Sequence, residues 1–328
     1  METFPWIYDH ATYYTLQFLL ESPEFDLETY PGRNSKVLLP PSPVHRLPSG
    51  PEHITLQYLL GTVRIPEVSY EDHDKVLHEF LWQMKFSSAE DQMNLSMKKL
   101  VFWCGDQLTD DRPHGLFKFH AEDDNSFKHL DWLVLSFGWF HLQMTFANSL
   151  YTQYYGTSMG CGIKHAIDVL EQKGLDTKST KCPFHHNLEE ALYHIAEAHI
   201  CLNWLAVGGV KSLAKLRERS PEDLFELAQQ LMANHASSLA MEKMKNRPEK
   251  KRDAIKQQTI MWNRDVLQYI VLDNAIKQGD IGLMEDMLPH LLFHFIGGRN
   301  SNYTHKILEL LQSLHREWPP EVWLVEYK

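Results

Sequence analysis

The segment Gly105-Asp106-Gln107-Leu108-Thr109 holds the residue best placed for chemistry. Asp106 follows a short apolar and aromatic run, Lys99-Leu100-Val101-Phe102-Trp103-Cys104, which reads as a buried strand halted by Gly105. A carboxylate directly after such a strand stands at the carboxyl edge of a sheet, where α/β folds place their ligands. The glycine before it permits close approach, and Thr109 adds a hydroxyl three residues on. Metal-assisted phosphoryl chemistry draws on two or three such carboxylates around Mg²⁺, because a single Asp binds that ion weakly. The same Asp also suits a turn, capping the segment that follows it.

His141 is the second candidate. It sits in Gly138-Trp139-Phe140-His141, just behind another strand candidate, Trp132-Leu133-Val134-Leu135. If the two strands are neighbours, His141 lies near the same edge as Asp106 and can ligate a metal or position a water. A solvent-facing histidine at a helix start is the alternative. Cys182-Pro183-Phe184-His185 offers one Cys/His pair, with Cys161 and His194 as further donors. Zinc wants four ligands in two local pairs, so a loop before a helix is the preferred reading and zinc is not expected. His199, on an apolar stripe, reads as a core histidine. Asp273 lies on another stripe, where a core-facing carboxylate must be paired or functional. Arg264-Asp265 reads as an ordinary exposed pair. The chain has no phosphate-loop glycine motif, no Gly-x-Ser-x-Gly elbow and no His-Glu-x-x-His.

The elements that must position these residues are mainly helical. Ser69 through Lys85 has helical spacing of Val76, Leu77, Phe80, Leu81 and Met84, with acidic residues in its first turn. From Phe140 onward helix follows helix. One apolar stripe runs through Leu188, Leu192, Ile195, His199 and Leu202, and another through Ile255, Trp262, Val266 and Ile270. Ser220-Pro221-Glu222-Asp223 is a helix start, and Gly279-Asp280 ends one helix and caps the next. A last helix runs from about Asn302 to His315 and stops at Trp318-Pro319-Pro320. Residues 1–66 read as an extension whose middle is too rich in proline for a helix or a central strand. The domain expectation is therefore a Pro-rich extension over 1–66, an α/β core segment over 67–157, and a helical domain or insertion over 158–328.

Composition narrows the class. A chain of 328 residues with 43% hydrophobic and 12% aromatic content folds around a substantial core, and nine Trp need a core or an interface to cover them. No apolar run reaches the roughly 18–20 residues of a membrane helix. The first residues lack the pattern of a secretory signal, and four scattered cysteines do not make a disulfide framework. The expected location is intracellular, nuclear or cytoplasmic. A formal net charge of −11 argues against holding nucleic acid through a general basic surface. The one basic cluster, Lys243 to Arg252, is interrupted by Pro248 and Glu249 and reads as a solvated link.

The Gly105-Asp106-Gln107-Leu108-Thr109 block resembles the hallmark of a fungal family of uncharacterised domains, abundant in mushroom-forming fungi. The likeness continues through Leu130-Asp131-Trp132-Leu133, Gly138 to Met144, Tyr155-Gly156-Thr157, Pro183-Phe184-His185-His186, Glu197-Ala198-His199, Arg264-Asp265, Ala275 to Asp280 and Asn302-Tyr303. This ordered series spans about 55 to 320 and is more specific than any one block. The family looks transposon-derived and is similar to transposases with a ribonuclease-H-like core. In those enzymes the first Asp ends the first strand, and the last acidic residue lies on a helix after an insertion.

The resemblance implies an α/β core with a ribonuclease-H-like sheet element, joined to a large, mostly helical bundle and predominantly helical overall. It implies Asp106 as the first metal ligand, His141 as a second site residue, Mg²⁺ or Mn²⁺ as the cofactor, and DNA as the ancestral substrate. Family members continue past the Trp-Pro-Pro block into an acidic segment, whereas this chain stops at Lys328. The expectation is a truncated copy without its last metal ligand, hence inactive. The alternative is a non-enzymatic helical module that binds a protein partner.

Overall fold

Short polar side chains decide where the helices of this chain begin. The computed structural model describes residues 5–66, 69–105, 115–156, 162–170, 185–298 and 300–318. Among them helices dominate, and the strands form a single two-stranded sheet. The contacts divide the chain into two compact units. One comprises Met1–Arg46 and Gln143–Asn300, the other Leu47–Leu142 and Ser301–Lys328.

The first unit is helical. It contains α1 (Pro5–Leu20), and the later α5 (Ile163–Leu170), α6 (His185–Gly208), α7 (Pro221–His235), α8 (Ser238–Lys245), α9 (Ala254–Gln278) and α10 (Ile281–Gly297). The unit boundary falls within α4 (Trp139–Tyr154). At its centre is α9, in which every residue from Asp265 to Asp273 is buried, and which touches α1, α6, α7, α8 and α10. A helix covered on all sides carries no single apolar stripe. Two residues assigned to stripes by spacing face outward instead: Leu202 is 65% and Ile255 62% exposed. Helix α1 lies inside the expected Pro-rich extension, and its long, mostly apolar buried face packs on α9 and α7.

Caps hold as the sequence predicts. The Ser220 hydroxyl accepts from Asp223 N and the Asp223 carboxylate accepts from Ser220 N, with Pro221 at the first helical position. Gly279 ends α9 at φ 66°, a left-handed value that favours glycine. Asp280 then does three things at once. Its carboxylate accepts from Leu283 N (3.3 Å) to cap α10, and from Val44 N (3.0 Å) and His45 N (2.9 Å) to fix the strap that follows α1.

The second unit holds α2 (Tyr70–Gln83), α3 (Ala89–Lys98), β1 (Val101–Gly105), β2 (Leu133–Phe137) and α11 (Ser301–Gln312), which runs on into a π-helical turn over Ser313–Glu317. Ser69 and Asp72 form a capping box at the start of α2. β1 and β2 pair in parallel, Val101 opposite Leu133 through Gly105 opposite Phe137. The core of the unit is Leu77, Leu81, Leu95, Leu116, Leu130, Trp132 and Leu133. β1 is not the buried strand its apolar run suggests. Its residues are half-buried or, at Cys104, exposed, because Phe80 meets Trp103 at a tilt and Trp318 meets Phe102 edge-on without enclosing them.

Replacing Asp280 with Ala leaves two strap amides and a helix terminus without their acceptor. Asp280→Ala should cost about 2–3 kcal/mol, read as a lower urea midpoint. A loss within 0.5 kcal/mol of zero, below the usual cost of a single cap, would show that the strap is not held by this carboxylate.

Candidate functional site

The carboxyl edge of the strand pair is closed by one further hydrogen bond, in which Gly138 N–H donates to the Gly105 carbonyl at 2.9 Å. A Cβ at Gly138 would stand 3.3 Å from His141 Cδ2 and 3.5 Å from the Gly105 oxygen, so a side chain there crowds this turn. Helix α4 begins at once, with His141 N–H donating to the Gly138 carbonyl at 2.9 Å. His141 is thereby half-buried in the first turn beyond β2, next to the residue that closes the edge. Asp106, the residue after Gly105, lies outside the described residues.

A polar pocket of about 240 Å³ adjoins this end of β2. It is lined by Ser136 and Phe137 of the strand and by Lys306, Glu309 and Glu317 from the C-terminal helix and its π turn. Lys306 is buried to 8% exposure, with its ammonium 3.3 Å from the Glu309 carboxylate. The Glu317 carboxylate accepts from Gln312 Nε2 (2.5 Å) and Ser313 Oγ (3.1 Å). Tyr303, Ile307, Leu310 and Leu314 bury the apolar face of this segment. Sequence reasoning passed over Lys306, Glu309 and Glu317. The legible signal was Lys306, a lysine set into an apolar stripe, where a cation needs an acidic neighbour. Hard oxygen donors beside a strand end suit Mg²⁺ or Mn²⁺. Among the described residues no three His, Cys, Asp or Glu side chains are grouped to hold a metal ion.

The zinc alternative divides. Cys161 and Cys182 lie outside the described residues, and His185 stands at the start of α6 with Nε2 3.9 Å from Glu189. Burial pushes the His185 imidazole below its ordinary pKa.

Two buried carboxylates on α9 make the densest polar networks of the first unit. Asp273 accepts from Gln143 Nε2 (2.6 Å), Lys277 Nζ (2.8 Å) and the Tyr193 hydroxyl. It is the paired core aspartate the stripe demanded. Asp265 accepts from the Tyr154 hydroxyl (2.5 Å) and Arg264 Nε (2.6 Å). The Arg264-Asp265 pair is therefore not an exposed one: Asp265 is fully buried and the Arg264 side chain is only 19% exposed. Burial, reinforced by these carboxylates, pushes the Tyr154 and Tyr193 hydroxyls far above their ordinary pKa.

Beside Asp265 opens a cleft of about 400 Å³ lined by Arg264, Gln268, His290 and His294. The Gln268 amide bridges the two imidazoles. His294 Nε2 donates to Gln268 Oε1 at 2.7 Å, and Gln268 Nε2 donates to His290 Nδ1 at 3.4 Å. That chain requires a lone pair on His290 Nδ1, hence a neutral ring. Burial lowers both imidazole pKa values, with the Arg264 charge adding to the effect, and brings His290 to about 4.

An unfolded histidine takes its proton near pH 6.5, so the folded rings bind protons less readily than the unfolded chain does. Stability from these rings is therefore complete above about pH 6.5 and is lost as pH falls towards 4. His290 alone should account for ~2 kcal/mol of that loss, once discounted for solvent reaching the cleft. Urea unfolding at pH 7.5 and pH 4.5 should show a smaller acid loss in His290→Gln than in the parent chain. An equal loss in both would place the acid sensitivity elsewhere.

The chain matches the Family of unknown function (DUF6589) over residues 2–325, and it belongs to that family. No curated protein and no solved structure matches it.

Proposed function

We propose that this chain is a transposon-derived, ribonuclease-H-like domain descended from a Mg²⁺-dependent DNA strand-transfer or nuclease enzyme, with its metal site at the carboxyl edge of β1 and β2. One observation carries the reading. After β2 the chain runs through the helices of residues 143–300 and then returns to the strand-bearing unit, where α11 brings Glu309 to the pocket beside Phe137. Transposases of the kind this family resembles place their last acidic residue on a helix after such an insertion. The parallel register also supports the reading, since both strands end at the same edge.

Asp106 and Glu309 would hold the ion, with Glu317 as a further carboxylate and His141 positioning a water. The ion, when bound, polarises a phosphoryl oxygen and makes water a better nucleophile. Lys306 gives the pocket one local positive charge for a phosphate in a chain of net charge −11.

The reading requires that a divalent cation bind, whether or not strands are cut. Calorimetry with Mn²⁺ should show a single site that Asp106→Asn abolishes and Glu309→Gln weakens at least tenfold, about 1.4 kcal/mol. Unchanged affinity in Asp106→Asn would remove the proposal.

A second reading, a helical module that holds a protein partner, has its own observation. The segment from Ile54 to Leu59 is wholly exposed, with Ile54 at 70%, Leu56 at 74%, Tyr58 at 81% and Leu59 fully open to solvent. Single exposed apolar residues need no explanation, but four within six positions suit a contact surface. A folded chain that binds no Mn²⁺ would favour this second reading.

A further inference from the structure

We propose that the cavity bounded by α5, α6 and α9 binds a small, uncharged aromatic alcohol. This site lies in the helical unit and does not depend on the metal reading. The cavity measures about 290 Å³, at the lower end of the range for ligand sites. Apolar walls come from Ile163, Ala166 and Ile195 and from the rings of Tyr154, Trp262 and His199, and His165, Gln258 and Thr259 add polar groups. Tyr154 and Trp262 meet edge to face at 5.3 Å, and His199 and Trp262 at 6.4 Å, so the walls present aromatic edges and faces suited to a flat guest.

The His199 imidazole defines what that guest must carry. Asn263 Nδ2 donates to the His235 carbonyl at 3.0 Å, which fixes the amide with Oδ1 towards His199 Nδ1 at 3.3 Å. The oxygen can only accept, so His199 Nδ1 carries the proton and Nε2 keeps its lone pair. Burial lowers the His199 pKa and favours that neutral form. Trp262 is 4% exposed, and its Nε1–H has no hydrogen-bond partner among the described residues. That nitrogen is shielded from the cavity as well, so it takes no part in holding a guest. The site therefore offers the His199 Nε2 acceptor in a mostly apolar box, whose wall also carries His165, Gln258 and Thr259. A hydroxyl is an uncharged group that can donate to that imidazole nitrogen.

Charge is excluded by the lining. No Asp, Glu, Lys or Arg is among the residues that form the cavity, so an ionised ligand would enter without a counter-charge.

The test titrates the full chain with 2-naphthol, naphthalene and 2-naphthoate, read by quenching of tryptophan fluorescence and by calorimetry. The expected result is one 2-naphthol per chain, bound at least tenfold more tightly than naphthalene or 2-naphthoate. His199→Phe should erase the preference for 2-naphthol over naphthalene while keeping apolar binding. Ala166→Phe, or Thr259→Phe where the first variant fails to fold, should fill the cavity and end binding. Equal affinity for 2-naphthol and naphthalene would overturn the proposal. So would binding that survives both filling variants, or no binding of 2-naphthol to the folded chain.

Discussion

A carboxylate at the centre of a helical unit must find partners, and α9 carries two, Asp265 and Asp273, both fully buried. Leaving either charge uncompensated costs on the order of 3–5 kcal/mol, a large part of the stability of an ordinary domain. The cationic partners, Arg264 and Lys277, lie on α9 itself, and the neutral donors come from other helices: Tyr154 and Gln143 from α4, Tyr193 from α6. Apolar contacts alone tolerate sliding, whereas these bonds accept one rotation and one height of α9. The capping of α10 by Asp280, the amide bridge of Gln268 and the aromatic cavity beside Trp262 all build on a helix held in that register.

The strand-bearing unit obeys a different constraint. A parallel pair cannot be joined by a hairpin, so the chain must cross over between β1 and β2. It then leaves, builds the helical unit, and comes back as α11, whose Tyr303 ring meets Phe137 of β2 edge to face at 6.4 Å. The return is what gathers Lys306, Glu309 and Glu317 beside a strand end. These residues are far from Ser136 and Phe137 in sequence and adjacent to them in space.

Legibility followed the range of the interaction. Ser220-Pro221 and Gly279-Asp280 announce caps within four residues, and the structure has those caps. The two strands lie within two residues of their expected positions, because apolar runs bounded by glycine are local signals. Helix α1 was hidden by its uniformity, since an apolar face that is wide and mixed with buried His10, Thr12 and Thr15 shows no clean period. Leu202 and Ile255 fit a stripe by spacing yet face outward, because the neighbours that bury a face are chosen by tertiary packing. The Arg264-Asp265 pair reads as a surface feature until the all-round burial of α9 is known. Glu309 and Glu317 were invisible as site residues for the plainest reason: nothing local says which strand a helix will return to.

The account turns on whether a divalent ion sits where β1 and β2 end and α11 returns. Paramagnetic broadening by substoichiometric Mn²⁺ in the amide spectrum of the ¹⁵N-labelled chain tests this directly. Broadening should fall first on Gly105, on Phe137 through His141 and on Glu309 through Glu317, leaving the rest of the strand-bearing unit sharper. Broadening centred elsewhere, or uniform along the chain, would contradict it.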